Sequence, residues 1–186
     1  MKNDKFLSFL KDVITMVVIY IIINLVIVQF FFRPFRVEGE SMHPNLESHE
    51  LGFSNVFSYR KNKAQRFDIV IVFRPETKQH LVKRVIGLPG ETVRYEYDKL
   101  YINDEYVEEP FLDKDYMELI TNDRNIDFTS DFGPVVLGDD EYYLLGDNRP
   151  RSSDSRIYGP FKEEQLKSKN GFVFYPFNKI RILGNK

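Results

Sequence analysis

The chain has no cysteine and, in 186 residues, three histidines: His43, His49 and His80. This excludes disulfide stapling, Cys-ligated zinc or iron–sulfur sites and thiol nucleophiles, and it leaves too little imidazole for a His-rich metal cage. Any covalent nucleophile is therefore an oxygen or a nitrogen, and neither metal nor cofactor is expected. A strong charge of one sign is also missing. The formal net charge is -2, with five Lys/Arg against two Asp/Glu in residues 1–36 and an acidic balance beyond. Nothing in that pattern resembles a nucleic-acid-binding face. What the chain does have is apolar and aromatic: 42% hydrophobic residues, with 17 Phe and 11 Tyr. That composition excludes disorder and low-complexity structure, and the length suits one ordinary domain plus a short appendage.

Val13 to Phe32 run without a charge, and about 20 residues of helix reach about 30 Å, the thickness of a hydrocarbon core. The competing reading is a cleaved signal peptide. The run exceeds a usual signal-peptide core, however, and bulky Phe30, Phe31, Phe32, Arg33 and Pro34 stand where a small-residue cleavage site should lie. A retained anchor is the expectation. Lys2, Lys5 and Lys11 precede the span while Arg33 and Arg36 follow it, a slight bias towards a cytoplasmic N-terminus.

After residue 36 the pattern turns short and two-periodic. Asp68 to Phe73, His80 to Ile86, Thr92 to Tyr97, Leu100 to Ile102, Tyr106-Val107, Glu141 to Leu145 and Phe172 to Tyr175 read as strands, bounded by turn residues. Beyond the anchor, Pro160 to Leu166 gives the one helix start, with proline near its first turn and Glu163 and Glu164 suiting the dipole. Residues 113–131 are polar, follow neither period and read as a surface excursion. The fold class expected is mainly β: an N-terminal transmembrane helix, then a β-domain with few short helices.

Three segments could carry chemistry: Gly39 to Pro44, Lys83 to Glu91, and Gly146 to Arg156. Ser41 is either a turn serine or a hydroxyl nucleophile. Lys83 alternates with Leu81 and Val85 on one face of its strand, while Val82, Arg84 and Ile86 share the other. It is either a surface or edge lysine or a buried one, and burial lowers a lysine pKa from about 10.4 towards about 5–6, making a neutral general base. His43, two residues from Ser41 on an extended segment, does not easily reach back to it. The charged run from Asp147 to Arg156 is either a solvated loop or a buttress behind the base.

The same segments resemble the boxes of type I signal peptidases of the Gram-positive kind (leader peptidases, peptidase family S26). The nucleophile motif stands as Ser41-Met42-His43-Pro44-Asn45-Leu46, a strand motif as Asp68 to Phe73, the base motif as Lys83 to Gly90, and the last box as Gly146 to Arg156. The resemblance runs from the anchor to Phe177. It implies a signal-peptidase-like β-domain and a membrane-bound serine endopeptidase that removes signal peptides from exported preproteins. By it, Ser41 is the nucleophile, Lys83 the general base and Ser152 the residue that orients the lysine. Arg84, Asp147, Asp154 and Arg156 form supporting ion pairs. The oxyanion hole would use the Ser41 N–H, and Gly39 stands where some members carry a hydroxyl. Phe35, Val37, Met42, Leu46, Leu81 and Val82 would line the substrate cleft and favour small residues at -1 and -3.

The division that follows is a cytoplasmic tail at 1–12, an anchor at 13–32 and an extracytoplasmic catalytic domain at 33–186. The partners are preproteins and the lipid bilayer, with no nucleic acid, and the location is the cell membrane in a single pass. Three rivals stand beside this reading. One is a catalytically silent anchored β-domain. Another is a Ser/His/Asp hydrolase using His80 or His49, and the third a self-cleaving repressor-type peptidase.

Overall fold

The computed structural model describes residues 2–124 and 126–184. Met1, Asn125, Asn185 and Lys186, which fall in the expected tail, excursion and domain end, lie outside the described residues. In chain order the elements are α1 (Lys2–Phe31), β1 (Phe32–Arg36), β2 (Leu51–Asn55), α2 (Val56–Lys61), β3 (Ile69–Arg74) and β4 (Gln79–Gly87). Then come β5 (Thr92–Glu96), β6 (Lys99–Ile102), β7 (Glu105–Val107), α3 (Lys114–Arg124), β8 (Phe132–Val136) and β9 (Glu141–Leu145), followed by α4 (Ser155–Tyr158), β10 (Phe161–Lys162), β11 (Leu166–Tyr175) and β12 (Arg181–Leu183).

The strands form two antiparallel sheets. The larger has the order β1-β2-β11-β3-β4-β9-β10, with β12 also on β11; the smaller has the order β7-β6-β5-β8. The pleat explains why β9 is apolar from Tyr142 to Leu145. Tyr142 and Leu144 enter one core with Val70, Val72 and Val85, while Tyr143 and Leu145 enter a second with Ile86, Val93 and Tyr95. Alternate side chains of one strand face opposite sides, so a strand between two cores must be apolar on both. A third core, Val37, Met42, Leu46, Ile69, Val173 and Leu183, lies under the segment that carries Ser41.

α1 contains an apolar stretch, Phe6–Val26, long enough to cross a membrane, and its side chains there are not covered by protein. Its last turn instead meets the domain: the Phe31 ring lies 5.2 Å from that of Phe57, and the Arg60 guanidinium sits 4.8 Å over Phe30. The aromatic end of the charge-free run therefore packs against α2.

Two sequence expectations are corrected. Pro160 to Leu166 is not an α-helix: Phe161 pairs with Tyr142 as β10, a 3₁₀ turn takes Glu163–Gln165, and Leu166 opens β11. Seven residues nucleate a helix poorly, and Phe161 gains more as a buried strand residue in the first core. Conversely, the polar excursion contains α3. The Asp113 carboxylate accepts from the Tyr116 N–H at 2.8 Å, an N-capping pattern that polar surroundings obscured.

Candidate active site

Lys83 and Arg84 are adjacent on β4 and each is 3% exposed, which removes the surface-lysine reading. Lys83 lies across from Val70 on β3. Its amine donates to Ser152 Oγ at 3.1 Å. Burial pushes the Lys83 pKa down to about 8, with Asp154 and Asp147 pulling upwards and Arg156 adding to the depression. Arg84, on the opposite face, makes a bidentate pair with Asp147 at 2.7 and 2.6 Å and lies 4.0 Å over the Phe111 ring. Asp147 also accepts from Asn45 Nδ2 at 2.9 Å, so this pair reaches the Ser41 segment.

Gly146 is the plate on which the site is assembled. A Cβ there would lie 2.2 Å from Ser152 Oγ and 2.3 Å from the Ser41 carbonyl oxygen; only hydrogen fits between them. Its N–H donates to Asp154 Oδ2 at 3.1 Å and its carbonyl accepts from Arg149 Nε at 3.0 Å. Asp154 pairs with Arg156 at 2.8 Å. Burial alone would raise the Asp154 carboxyl, but Arg156, the Ser152 hydroxyl and the Gly146 N–H hold it below its ordinary value. Arg149 is fully buried and binds Glu109 at 2.5 Å, Tyr95 Oη at 2.9 Å and Thr129 Oγ1 at 3.2 Å. The smaller sheet and the excursion thus hold the loop carrying Ser152.

Ser41 lies half-buried in a turn. Its carbonyl accepts from the Asn148 N–H at 3.0 Å. Its hydroxyl has no hydrogen-bond partner among the described residues, so the structure brings the Ser41 and Lys83 segments together at Gly146 without a direct bond between the two side chains. Gly39, with φ +83° and nothing within 4 Å of a built Cβ, adopts the left-handed backbone that lets the chain turn into the Ser41 segment. His43 packs edge-on against Tyr116 at 4.9 Å, His49 contacts Arg36 at 3.0 Å and His80 contacts Arg33 at 3.3 Å. None of the three hydrogen-bonds Ser41.

Of the residues aligned with a cleft, Val37, Met42 and Leu46 are buried in the third core, and Phe35 and Val82 pack against it. Leu81 is separated from them and packs against the first core, on the Lys83 face. Sequence reasoning passed over Asn45, Gly146, Asn148, Glu109 and Arg181. The first three lie inside or beside recognisable segments. Glu109 and Arg181 gave no local signal, although Arg181 binds the buried Glu50 carboxylate at 2.6 Å and the Asn45 carbonyl at 2.7 Å. Among the described residues no group of three or more His, Asp or Glu is arranged to hold a metal ion.

A sequence profile of the family described as signal peptidase, peptidase S26, matches residues 10–175. Signal peptidase I S of Bacillus subtilis (strain 168) is 41% identical over 166 residues, 89% of each chain. Signal peptidase I T of the same strain is 42% identical over 166 residues, 89% of this chain and 85% of that one. A signal peptidase I of Bacillus amyloliquefaciens is 39% identical over 181 residues, 97% of this chain and 94% of its own. Among solved structures, a signal peptidase I from Enterococcus faecalis V583 is 38% identical, with a TM-score of 0.49 over 58% of this chain and 97% of that one.

Proposed function

The chain belongs to the signal peptidase family, peptidase S26, and on that premise we propose that Ser41 and Lys83 form the catalytic pair. A signal peptidase is a serine peptidase that cleaves signal peptides from preproteins. The observation that carries the pair is the buried Lys83 amine, 3.1 Å from Ser152 Oγ, which shares with the Ser41 carbonyl the space against Gly146 that a Cβ would fill. No imidazole competes for the role.

Ser41 Oγ attacks the scissile carbonyl carbon while neutral Lys83 accepts the hydroxyl proton. The Ser41 N–H, which has no other partner among the described residues, donates to the developing oxyanion. The Lys83 ammonium then returns the proton to the leaving amine, the C–N bond breaks and the mature protein departs. Water, deprotonated by Lys83, attacks the remaining ester and releases the signal peptide and Ser41. Ser152 accepts from the amine and fixes its direction. Apo geometry with a loose nucleophile–base contact is ordinary and tightens on binding.

Substrate binding follows from an unpaired edge. β9 meets β4 only from Arg84 onward, so Gln79–Lys83 lack a partner on that side among the described residues. An extended peptide pairs there and along residues 38–40, gaining main-chain hydrogen bonds. Buried Met42, Leu46 and Val37, with Phe35 and Val82, form an apolar floor too shallow for large side chains, which favours small residues such as Ala at -1 and -3. α1 anchors the chain in the cell membrane in a single pass, with the N-terminus cytoplasmic and the catalytic domain extracytoplasmic. The bilayer thus holds enzyme and substrate at one surface.

The test is cleavage of a preprotein by the full chain in detergent, with the new N-terminus sequenced. Ser41→Ala and Lys83→Ala are expected to abolish cleavage, His43→Ala, His49→Ala and His80→Ala to preserve it, and Leu at -1 of the substrate to block it. An active Lys83→Ala enzyme, or a histidine variant without activity, overturns the pair.

A further inference from the structure

Asn148 brackets the nucleophile. Its backbone N–H donates to the Ser41 carbonyl at 3.0 Å, and its side-chain Nδ2 donates to the Glu40 carbonyl at 3.0 Å. The residue is 1% exposed. Its Oδ1 has no partner among the described residues, so the amide orientation follows from the Glu40 carbonyl alone: the flipped amide would set two acceptor oxygens face to face. The His43 N–H adds a second donor to the same carbonyl at 3.1 Å.

A carbonyl held by two donors fixes more than itself. The Glu40–Ser41 peptide is trans, so the Glu40 C=O and the Ser41 N–H are parts of one rigid plane and point in opposite directions. Pinning the oxygen on one side aims the N–H on the other. Ser41 N–H is the donor without a partner among the described residues, and Gly39 brings no hydroxyl to share its task. A hole with so few donors depends on the direction of the one it has. The neighbouring glycine, in open space with φ +83°, offers no steric restraint on that plane.

We propose that Asn148 is a positioning residue for the oxyanion hole: its side-chain amide orients the Glu40–Ser41 peptide so that the Ser41 N–H meets the transition state. The proposal rests on Ser41 being the nucleophile. Asn148 makes no hydrogen bond to Lys83 among the described residues, the amine bonding Ser152, so its effect is on transition-state charge and not on the base.

The experiment compares wild type, Asn148→Ala, Asn148→Asp and Ser41→Ala, each as the full chain in detergent, on one preprotein across pH. Asn148→Asp keeps the side-chain shape and exchanges the donor for an acceptor. The expected result is a fall in kcat of about 10²-fold for both Asn148 variants, the scale of one oxyanion-hole donor. KM should change less than about threefold, because the interaction is made in the transition state only. In Asn148→Ala, which adds no charge, the acid limb of the pH profile stays where it is in wild type. A kcat within about threefold of wild type, a loss carried by KM, or a displaced acid limb in Asn148→Ala overturns the proposal. Failure of both Asn148 variants to fold, read by circular dichroism, assigns the residue a structural role and overturns it too. An active Ser41→Ala chain would instead strike the nucleophile reading.

Discussion

Lys83 Nζ donates to Ser152 Oγ at 3.1 Å, and that is the one hydrogen bond made by the amine among the described residues. A buried ammonium needs more than one neutral acceptor, and the carboxylates that could serve it are engaged elsewhere. Asp147 is held by Arg84 and Asp154 by Arg156. The site is thus arranged so that the two acids nearest the lysine are already neutralised, and desolvation dominates the behaviour of the amine.

The first expectation is a pH profile. Burial places the Lys83 pKa at about 8, and protonation removes the base. Activity should rise with pH through an acid limb centred near that value and fall about tenfold per unit below it. Measuring kcat/KM from neutral to alkaline pH checks this; a rate independent of pH across the window speaks against a lysine base.

The same depression acts on stability. Between pH 8 and 10.5 the folded chain holds the amine neutral while the unfolded chain still binds its proton, so wild-type stability gains from this group as pH rises through that window. Below about pH 8 both states are protonated and the whole cost of burying the ammonium remains. Lys83→Met, similar in volume and uncharged, should stabilise the fold at pH 7 by about 3–4 kcal/mol, abolish cleavage, and lose the alkaline gain. Denaturant titrations of both chains at pH 7 and 10 read the difference.

Gly146→Ala is expected to be inactive although only a methyl is added. That methyl would meet Ser152 Oγ at 2.2 Å and the Ser41 carbonyl at 2.3 Å, and both must move. Displacements of about 1 Å at a reacting centre cost about 10²-fold in rate. Steady-state cleavage by a variant that still folds, judged by its circular dichroism, is the check.

Asp147→Ala leaves Arg84 buried beside Phe111 without its carboxylate. Breaking a buried pair from one side costs about 3–5 kcal/mol, and Asn45 in the Ser41 segment loses a partner as well. The variant should lose stability by that order and activity with it. A melting temperature equal to wild type would contradict the role assigned to the pair.

Much of this was legible in the chain itself, for reasons that differ by residue. Strands such as Glu141–Leu145 announce themselves because both faces are buried and the four residues after Glu141 are apolar. Lys83 stood out because a cation between Leu81 and Val85 has to be either at an edge or desolvated. α3 was hidden because a capped surface helix needs few apolar residues, and Pro160–Leu166 misled because a helix-start signature says nothing of the strand waiting to pair with Phe161. Leu81 illustrates a further limit. A residue next to cleft positions in sequence alternates to the other face of its strand and enters a different core. Glu109 and Arg181 act through partners 40 and 131 residues away, a relation that only the folded chain displays.

The central claim is that one buried lysine amine, brought to the Ser41 segment by the fold, loses its proton near pH 8 and not near pH 10.5. The direct measurement is an NMR titration of Lys83 Cε in full-length Ser41→Ala chain, 13C-labelled at lysine and held in detergent micelles, with Lys83→Met supplying the assignment. The account predicts a resonance that titrates with a midpoint near pH 8, well apart from the other lysines. A Lys83 resonance that titrates together with the solvent-exposed lysines, near pH 10.5, would contradict it.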